Sequence, residues 1–196
     1  GQLVDVGGYR LHINCVGTGS PTVVIDAGWG DWSGGWSRVQ PEAAKTTRVC
    51  TYDRAGMGYS EPGSLPRTAE QFAKELHTLL QHAAIPGPYV LVGHSMGGAP
   101  VRVFAHTYAA EVAGVVLIES MNPEAASTPA PATPPNSGAV SIVNKFLTNL
   151  LTLPARVGLV RLVTGPVAGM PPDAANAYTA RSVTVRALQA AIDEGR

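Results

Sequence analysis

Apolar residues along the first 120 positions fall into short runs separated by glycine-rich or acidic turns. "PTVVIDAG" is one such run, closed by Gly28, and "RVCTYD" is another, closed by the turn "RAGMG". "YVLVGHS" and "GVVLIES" are continuously apolar, the pattern of strands buried on both faces of a parallel sheet. At the start, "LVDV" and "YRLHINCVG" flank Gly7-Gly8, which predicts a hairpin. The intervening segments change period. "TAEQFAKELHTLLQHAA" sets Phe72, Leu76, Leu79, Leu80 and Ala83 on one helical face, and Thr68 with Gln71 three positions later forms a capping box at its start. "WSRVQPEAAKT" predicts a short helix and "MGGAPVRVFAHTYAAEV" a longer one. Strand, helix and strand in repetition predict an α/β fold, a doubly wound and mostly parallel sheet.

The pattern breaks at residue 122. Residues 1–121 read as the sheet-bearing core and 122–138 ("NPEAASTPAPATPPNSG") as a Pro/Ala-rich connection. Residues 139–196 read as a helical cap. In it "SIVNKFLTNLL" carries Ile142, Val143, Phe146, Leu147, Leu150 and Leu151 as one stripe, followed by "PARVGLVRLV" and "DAANAYTARSVTVRALQAAIDEG". A stripe of that spacing is what any docked helix shows, so packing on the sheet is its default role and lining an acyl cleft the alternative. The Pro-rich connection allows the cap to move as a lid.

Composition narrows the function classes. Fourteen basic residues cancel fourteen acidic ones, and no Lys/Arg cluster offers a footprint for nucleic acid. No apolar run reaches the length of a membrane span. The first residues, "GQLVDVGGYR", lack the basic-then-apolar order of a signal peptide and an initiator Met, so a removed leader and an absent one are both compatible.

The candidate chemistry lies in "VLVGHSMGG". Ser95 stands between Gly93 and Gly97, directly after an apolar run and directly before a predicted helix. That context is what a nucleophile elbow requires: a strained turn lifts the hydroxyl above the sheet, and side chains at the two glycines would meet neighbouring backbone. The N–H of Met96, at a helix N-terminus, is suited to hold an oxyanion. Four blocks, "PTVVIDAGWGDWSGGW", "RVCTYDRAGMGYSEPG", "GPYVLVGHSMGG" and "VAGVVLIES", in this order and spacing, resemble the α/β-hydrolase family. The resemblance implies a second oxyanion donor in the loop after the third strand, here the N–H of Trp29 in "DAGWG". Many members have His before that Gly, where this chain has "DA". It also implies a structural role for Asp53 and Arg54 in "DRAGMGYS", and esters or related acyl compounds as substrates. Members with a nucleophilic aspartate, such as dehalogenases and epoxide hydrolases, are disfavoured because position 95 is Ser. No metal and no organic cofactor is implied.

A serine nucleophile needs a base, and the base an orienting acid. The five histidines, His12, His77, His82, His94 and His106, all fall on strands or helices where a surface or core role is expected. In the family the acid follows the seventh strand and the histidine the eighth, and no such pattern follows residue 121. The expectation is that the base, and with it the acid, lies outside this chain, on a C-terminal segment or partner chain that completes the sheet. A truncated homologue without turnover is the third possibility. Glu119, at the end of "GVVLIES", sits where some members place their acid, although a strand-end carboxylate that orders neighbouring loops is the plainer reading.

The family's sheet order sets the second strand beside the fourth, which brings Cys15 and Cys50 to adjacent strands. A disulfide is then allowed, with free buried thiols the alternative; the former favours a secreted or cell-envelope protein, the latter a cytoplasmic one. A dinucleotide fingerprint is imitated by Gly28, Gly30 and Ser33 with Asp53 beyond. It fails at Ser33, and Trp29 and Trp32 crowd the place a pyrophosphate must approach. The sequence therefore points to a serine hydrolase of carboxylic esters, with a ligand-binding or interaction module on the same fold as its rival.

Overall fold

A computed structural model describes residues 1–121, 169–182 and 184–194. Six strands form one sheet in the order β1-β2-β4-β3-β5-β6. They are β1 (Gln2–Asp5), β2 (Arg10–Val16), β3 (Thr22–Asp26), β4 (Val49–Tyr52), β5 (Tyr89–His94) and β6 (Val112–Ile118). The pairs β1–β2 and β2–β4 are antiparallel; β4–β3, β3–β5 and β5–β6 are parallel. The opening hairpin turns at Gly7 and Gly8, both at positive φ (+112° and +102°), where a side chain would be strained.

The two faces of the sheet follow the alternation of the strands. Val24, Cys50, Tyr52 and Leu91 pack on one face with Leu76, Leu79 and Leu80 of α2 (Ala69–His82) and Val101 and Phe104 of α3 (Gly98–Thr107). Ile25, Val49 and Val92 point the other way, to Trp36, Ala43 and Ala44 around the short helix α1 (Val39–Ala43). Helices on both faces of a mostly parallel sheet make this a doubly wound α/β fold. Half of the capping box expected for α2 forms: Thr68 Oγ1 accepts from Gln71 N at 3.3 Å, while the Gln71 side chain donates to Glu75 Oε1 at 2.9 Å.

Residues 173–195, a single helical stretch in sequence, divide into α4 (Pro172–Ser182) and α5 (Val185–Glu194). Thr184 starts the second helix, its Oγ1 accepting from Ala187 N at 3.1 Å. The stripe of Ile142 to Leu151, "PARVGLVRLV" and the 122–138 connection lie outside the described residues. Among the described residues, no helix is long and apolar enough to cross a membrane.

Cys15 and Cys50 face each other in the β2–β4 register and are joined by a disulfide that closes a separation of 35 residues. Loop-closure entropy assigns a cross-link of that span about 4 kcal/mol. Urea unfolding of the reduced, alkylated protein is expected to show a loss approaching that figure.

Candidate active site

The sheet order reverses between β3 and β5: β4 lies on one side of β3, β5 and β6 on the other. In open α/β sheets such a switch point, at the carboxyl ends of the strands, is where a crevice for ligand opens. The two segments flanking it here are Ala27–Asp31 after β3 and Ser95–Gly97 after β5.

Ser95 adopts a left-handed backbone, φ +51°, in the turn between β5 and α3, and is half-buried. A non-glycine residue held there stores strain that its surroundings must enforce. Gly93 and Gly97 do the enforcing. A Cβ on Gly93 would lie 2.6 Å from Val101 Cγ2 and 2.7 Å from Gly98 Cα. One on Gly97 would collide with the carbonyl oxygens of Ala27 and Asp26, the latter at 2.6 Å. The elbow and the end of β3 are therefore in backbone contact. Gly97→Ala is expected to cost about 1–3 kcal/mol by overpacking and to push the 27–29 segment away from Ser95, read out as a lower melting temperature and slower Ser95 modification.

The segment after β3 closes as a tight turn, Asp31 N donating to Gly28 O at 3.2 Å, with Gly30 at φ +66°. Gly28 borders the serine directly: a Cβ there would stand 3.4 Å from Ser95 Cβ and 3.1 Å from His94 Nδ1. Trp29, next in the turn, is 59% exposed, and its indole Nε1 donates to Ala191 O of α5 at 2.8 Å. Met96 follows Ser95 in the elbow and is half-buried. The structure thus brings Ser95, Met96, both elbow glycines and Gly28 together, with Trp29 next in the turn. Glu119 follows β6, whose Ile118 pairs with His94, so it stands one strand end over from Ser95; it is exposed, at φ +43°. Cys15 and Cys50 belong to the β2–β4 side of the sheet.

All five histidines are among the described residues. His12 Nδ1 lies 3.0 Å from Asp53 Oδ2, a histidine–carboxylate pair, but β2 is three strand positions from β5. That places it roughly 14 Å from the elbow. His77 stacks on Tyr108 and meets Glu111 at 3.0 Å; His82 bonds the Asp5 carbonyl; His106 is exposed on α3. His94 sits edge-on to Trp36, on the α1 face. None of these arrangements sets an imidazole to take a proton from Ser95.

Asp53 and Arg54 act as scaffolding. Asp53 is wholly buried and accepts from Ser33 N (2.8 Å) and Tyr59 N (2.9 Å) besides His12, tying the loops after β3 and β4 together. Committed to these bonds, it leaves no carboxylate for a ribose, and Trp32 is buried against Tyr178 and Tyr59. Arg54 lies within a buried cluster that the sequence does not reveal. Its Nη1 donates to Asp26 Oδ1 (2.6 Å) and Ala27 O (2.7 Å), and its Nη2 to Gly28 O (2.6 Å). Its Nε donates to Glu194 Oε1 of α5 at 2.7 Å. Burial alone would lower the guanidinium pKa, but Asp26 and Glu194 more than offset it and hold Arg54 charged. Burial raises the pKa of Asp26, against the opposing pull of Arg54 and the Tyr52 hydroxyl, which donates at 2.6 Å. The one advance signal was polar: Asp26 ends an apolar strand and Arg54 follows another by two positions, where a charge must find a partner. Glu194 gave none.

Helices α4 and α5 are seated on these loops. Trp32 stacks on Tyr178 and donates to Ser182 Oγ at 3.0 Å; Tyr178 donates to Asp31 Oδ1 at 3.0 Å; Arg181 lies over the Tyr59 ring. Burial, then Asp31, pushes the Tyr178 hydroxyl up to about 12. Among the described residues no group of three or more His, Cys, Asp or Glu is placed to hold a metal ion.

Comparison with known proteins agrees with the fold. The chain is similar to a probable transporter, efuK, of Hormonema carpetanum, at 34% identity over 60% of the chain and 18% of that protein. It is similar to the Bacillus subtilis protein YqjL at 35% identity, over 53% of the chain and 41% of that protein. The chain thus spans less than half the length of these curated relatives. Among solved structures, the epoxide hydrolase CorEH superposes over 100% of the chain and 73% of its own, with a TM-score of 0.71 at 19% identity, a likeness of fold. The profile of the family described as alpha/beta hydrolase fold matches residues 21–166, and with the switch-point serine and its glycines in place, the chain belongs to that family.

Proposed function

We propose that this protein is a serine hydrolase that cleaves carboxylic esters or related acyl compounds through an acyl-enzyme on Ser95. The observation that carries the reading is Ser95 itself, held at φ +51° between β5 and α3 with Gly28 bordering it. In the proposed reaction Ser95 Oγ bonds to the ester carbonyl carbon while its proton passes to a histidine. The N–H groups of Trp29 and Met96 hold the oxygen that becomes negative. Collapse breaks the bond to the alkoxy oxygen, which leaves as the alcohol with that proton. Water, giving a proton to the same histidine, then attacks the acyl carbon; the acid leaves, and the histidine returns that proton to Ser95 Oγ.

The histidine comes from a segment or partner that adds to the sheet beyond β6. Val115, Val116, Leu117 and Ile118 of that strand are 38–47% exposed, an apolar edge that invites a further strand. Glu119, on that edge, is the candidate acid among the described residues. The disulfide supports an oxidising compartment.

A second reading, a ligand-binding or interaction module, is favoured by one observation: no histidine of the chain serves Ser95. A fluorophosphonate probe separates the two. Stoichiometric labelling at Ser95 in the full gene product, located by peptide mass, supports the hydrolase; a folded protein that stays unlabelled leaves the module.

A further inference from the structure

We infer that Glu194, at the end of α5, is a positioning residue for the Trp29 peptide, acting through Arg54; the inference rests on the oxyanion role proposed above for that N–H. The peptide bond between Gly28 and Trp29 is planar and trans, so its C=O and N–H point in opposite directions. Arg54 Nη2 grips the Gly28 carbonyl at 2.6 Å, which turns the Trp29 N–H away from Arg54. Arg54 Nη1, on the Ala27 carbonyl at 2.7 Å, fixes the preceding peptide as well.

The guanidinium is itself held from both sides. Asp26 takes Nη1, while Glu194 receives Nε at 2.7 Å and Nη2 at 3.1 Å along one edge. Glu194 Oε2 also accepts from Gly30 N at 3.3 Å, so the same carboxylate ties the residue after Trp29. Its side chain, like those of Arg54 and Asp26, is 0–2% exposed. A paired, buried fork of this kind fixes direction more tightly than a surface ion pair does. Trp29 is then bounded on both sides: the peptide before it by Arg54, the amide after it by Glu194, and its indole by the Ala191 carbonyl of the same helix. Helix α5 thereby acts as part of the site's frame.

Glu194→Gln keeps the shape and removes the charge. In the full gene product, kcat on a p-nitrophenyl ester and the fluorophosphonate labelling rate are expected to fall about tenfold with KM within twofold, part of the 10²–10³ that complete removal of one oxyanion donor costs. Ser182→Ala loosens the same helix pair at Trp32 and is expected to leave kcat unchanged. A folded Glu194→Gln protein with wild-type kcat overturns the inference, as does an equal loss in Ser182→Ala, which would mark general docking. Should the wild type itself resist the probe, the hydrolase reading falls, and nitrogen-15 resonances decide the rest. Amide signals of Trp29 and Gly30 that shift or broaden in Glu194→Gln and stay put in Ser182→Ala support the positioning role; signals unchanged in both overturn it.

Discussion

Ser95→Ala is expected to abolish fluorophosphonate labelling and to lower kcat on esters by about four to six powers of ten, while thermal stability holds or rises. The size follows from the chemistry: without Oγ no acyl-enzyme forms, and the remaining donors and binding contacts supply only residual acceleration. The sign of the stability change follows from the hydroxyl. Alanine gains nothing at φ +51°, but it removes a half-buried hydroxyl from an apolar rim without opening a large cavity. Hydrolysis that persists in the folded alanine variant at wild-type rate would place the chemistry elsewhere on the molecule.

Arg54→Ala is expected to cost about 3–5 kcal/mol of stability. The guanidinium neutralises two buried carboxylates, Asp26 and Glu194, and satisfies the two carbonyls that follow β3, those of Ala27 and Gly28. The two acids have different exits once it is gone. Asp26 remains in the sheet, takes a proton more readily than usual because of its burial, and keeps the Tyr52 hydroxyl. Glu194 ends a surface-docked helix and is expected to carry α5 off the loops into water. Urea unfolding reports the total. Hydrogen exchange reports the division: protection is lost first over residues 185–194 and 27–31 and retained in β3 and β5. A uniform loss across the sheet would assign Arg54 to the global core instead.

Local pattern sufficed for some parts of the molecule and not for others, for physical reasons. The strands around Val24 and Leu91 were legible because runs of branched apolar residues have few other places to go. The run around Val116 forms its strand but, expected to be buried on both faces, is 47% exposed at Val116, because β6 is the edge of the described sheet. The start of α2 was legible because a side-chain cap is written within four residues, Thr68 to Gln71. Ser95 was legible because two glycines bracket it and each answers to a specific backbone approach. The Arg54–Glu194 pair was not, since the partners stand 140 positions apart and charged side chains default to the surface. The division of residues 173–195 into two helices was missed for a related reason. A β-branched stretch with Thr184 in it is tolerated inside a helix or breaks it, and the docking of Tyr178 and Trp29 decides between these. His12 beside Asp53 shows the converse hazard, a triad-like pair whose strand address disqualifies it.

The latch between Arg54 and α5 also bears on biogenesis. Contacts joining Trp29 to Ala191 and Arg54 to Glu194 span 162 and 140 positions, so the ribosome releases every sheet strand described here well before α5 emerges. Long-range closure of that kind is slow relative to local folding. A nascent chain stalled short of residue 194 would carry an assembled sheet and a slack turn at 28–31. Competence for reaction at Ser95 would thus arrive as a late event of synthesis.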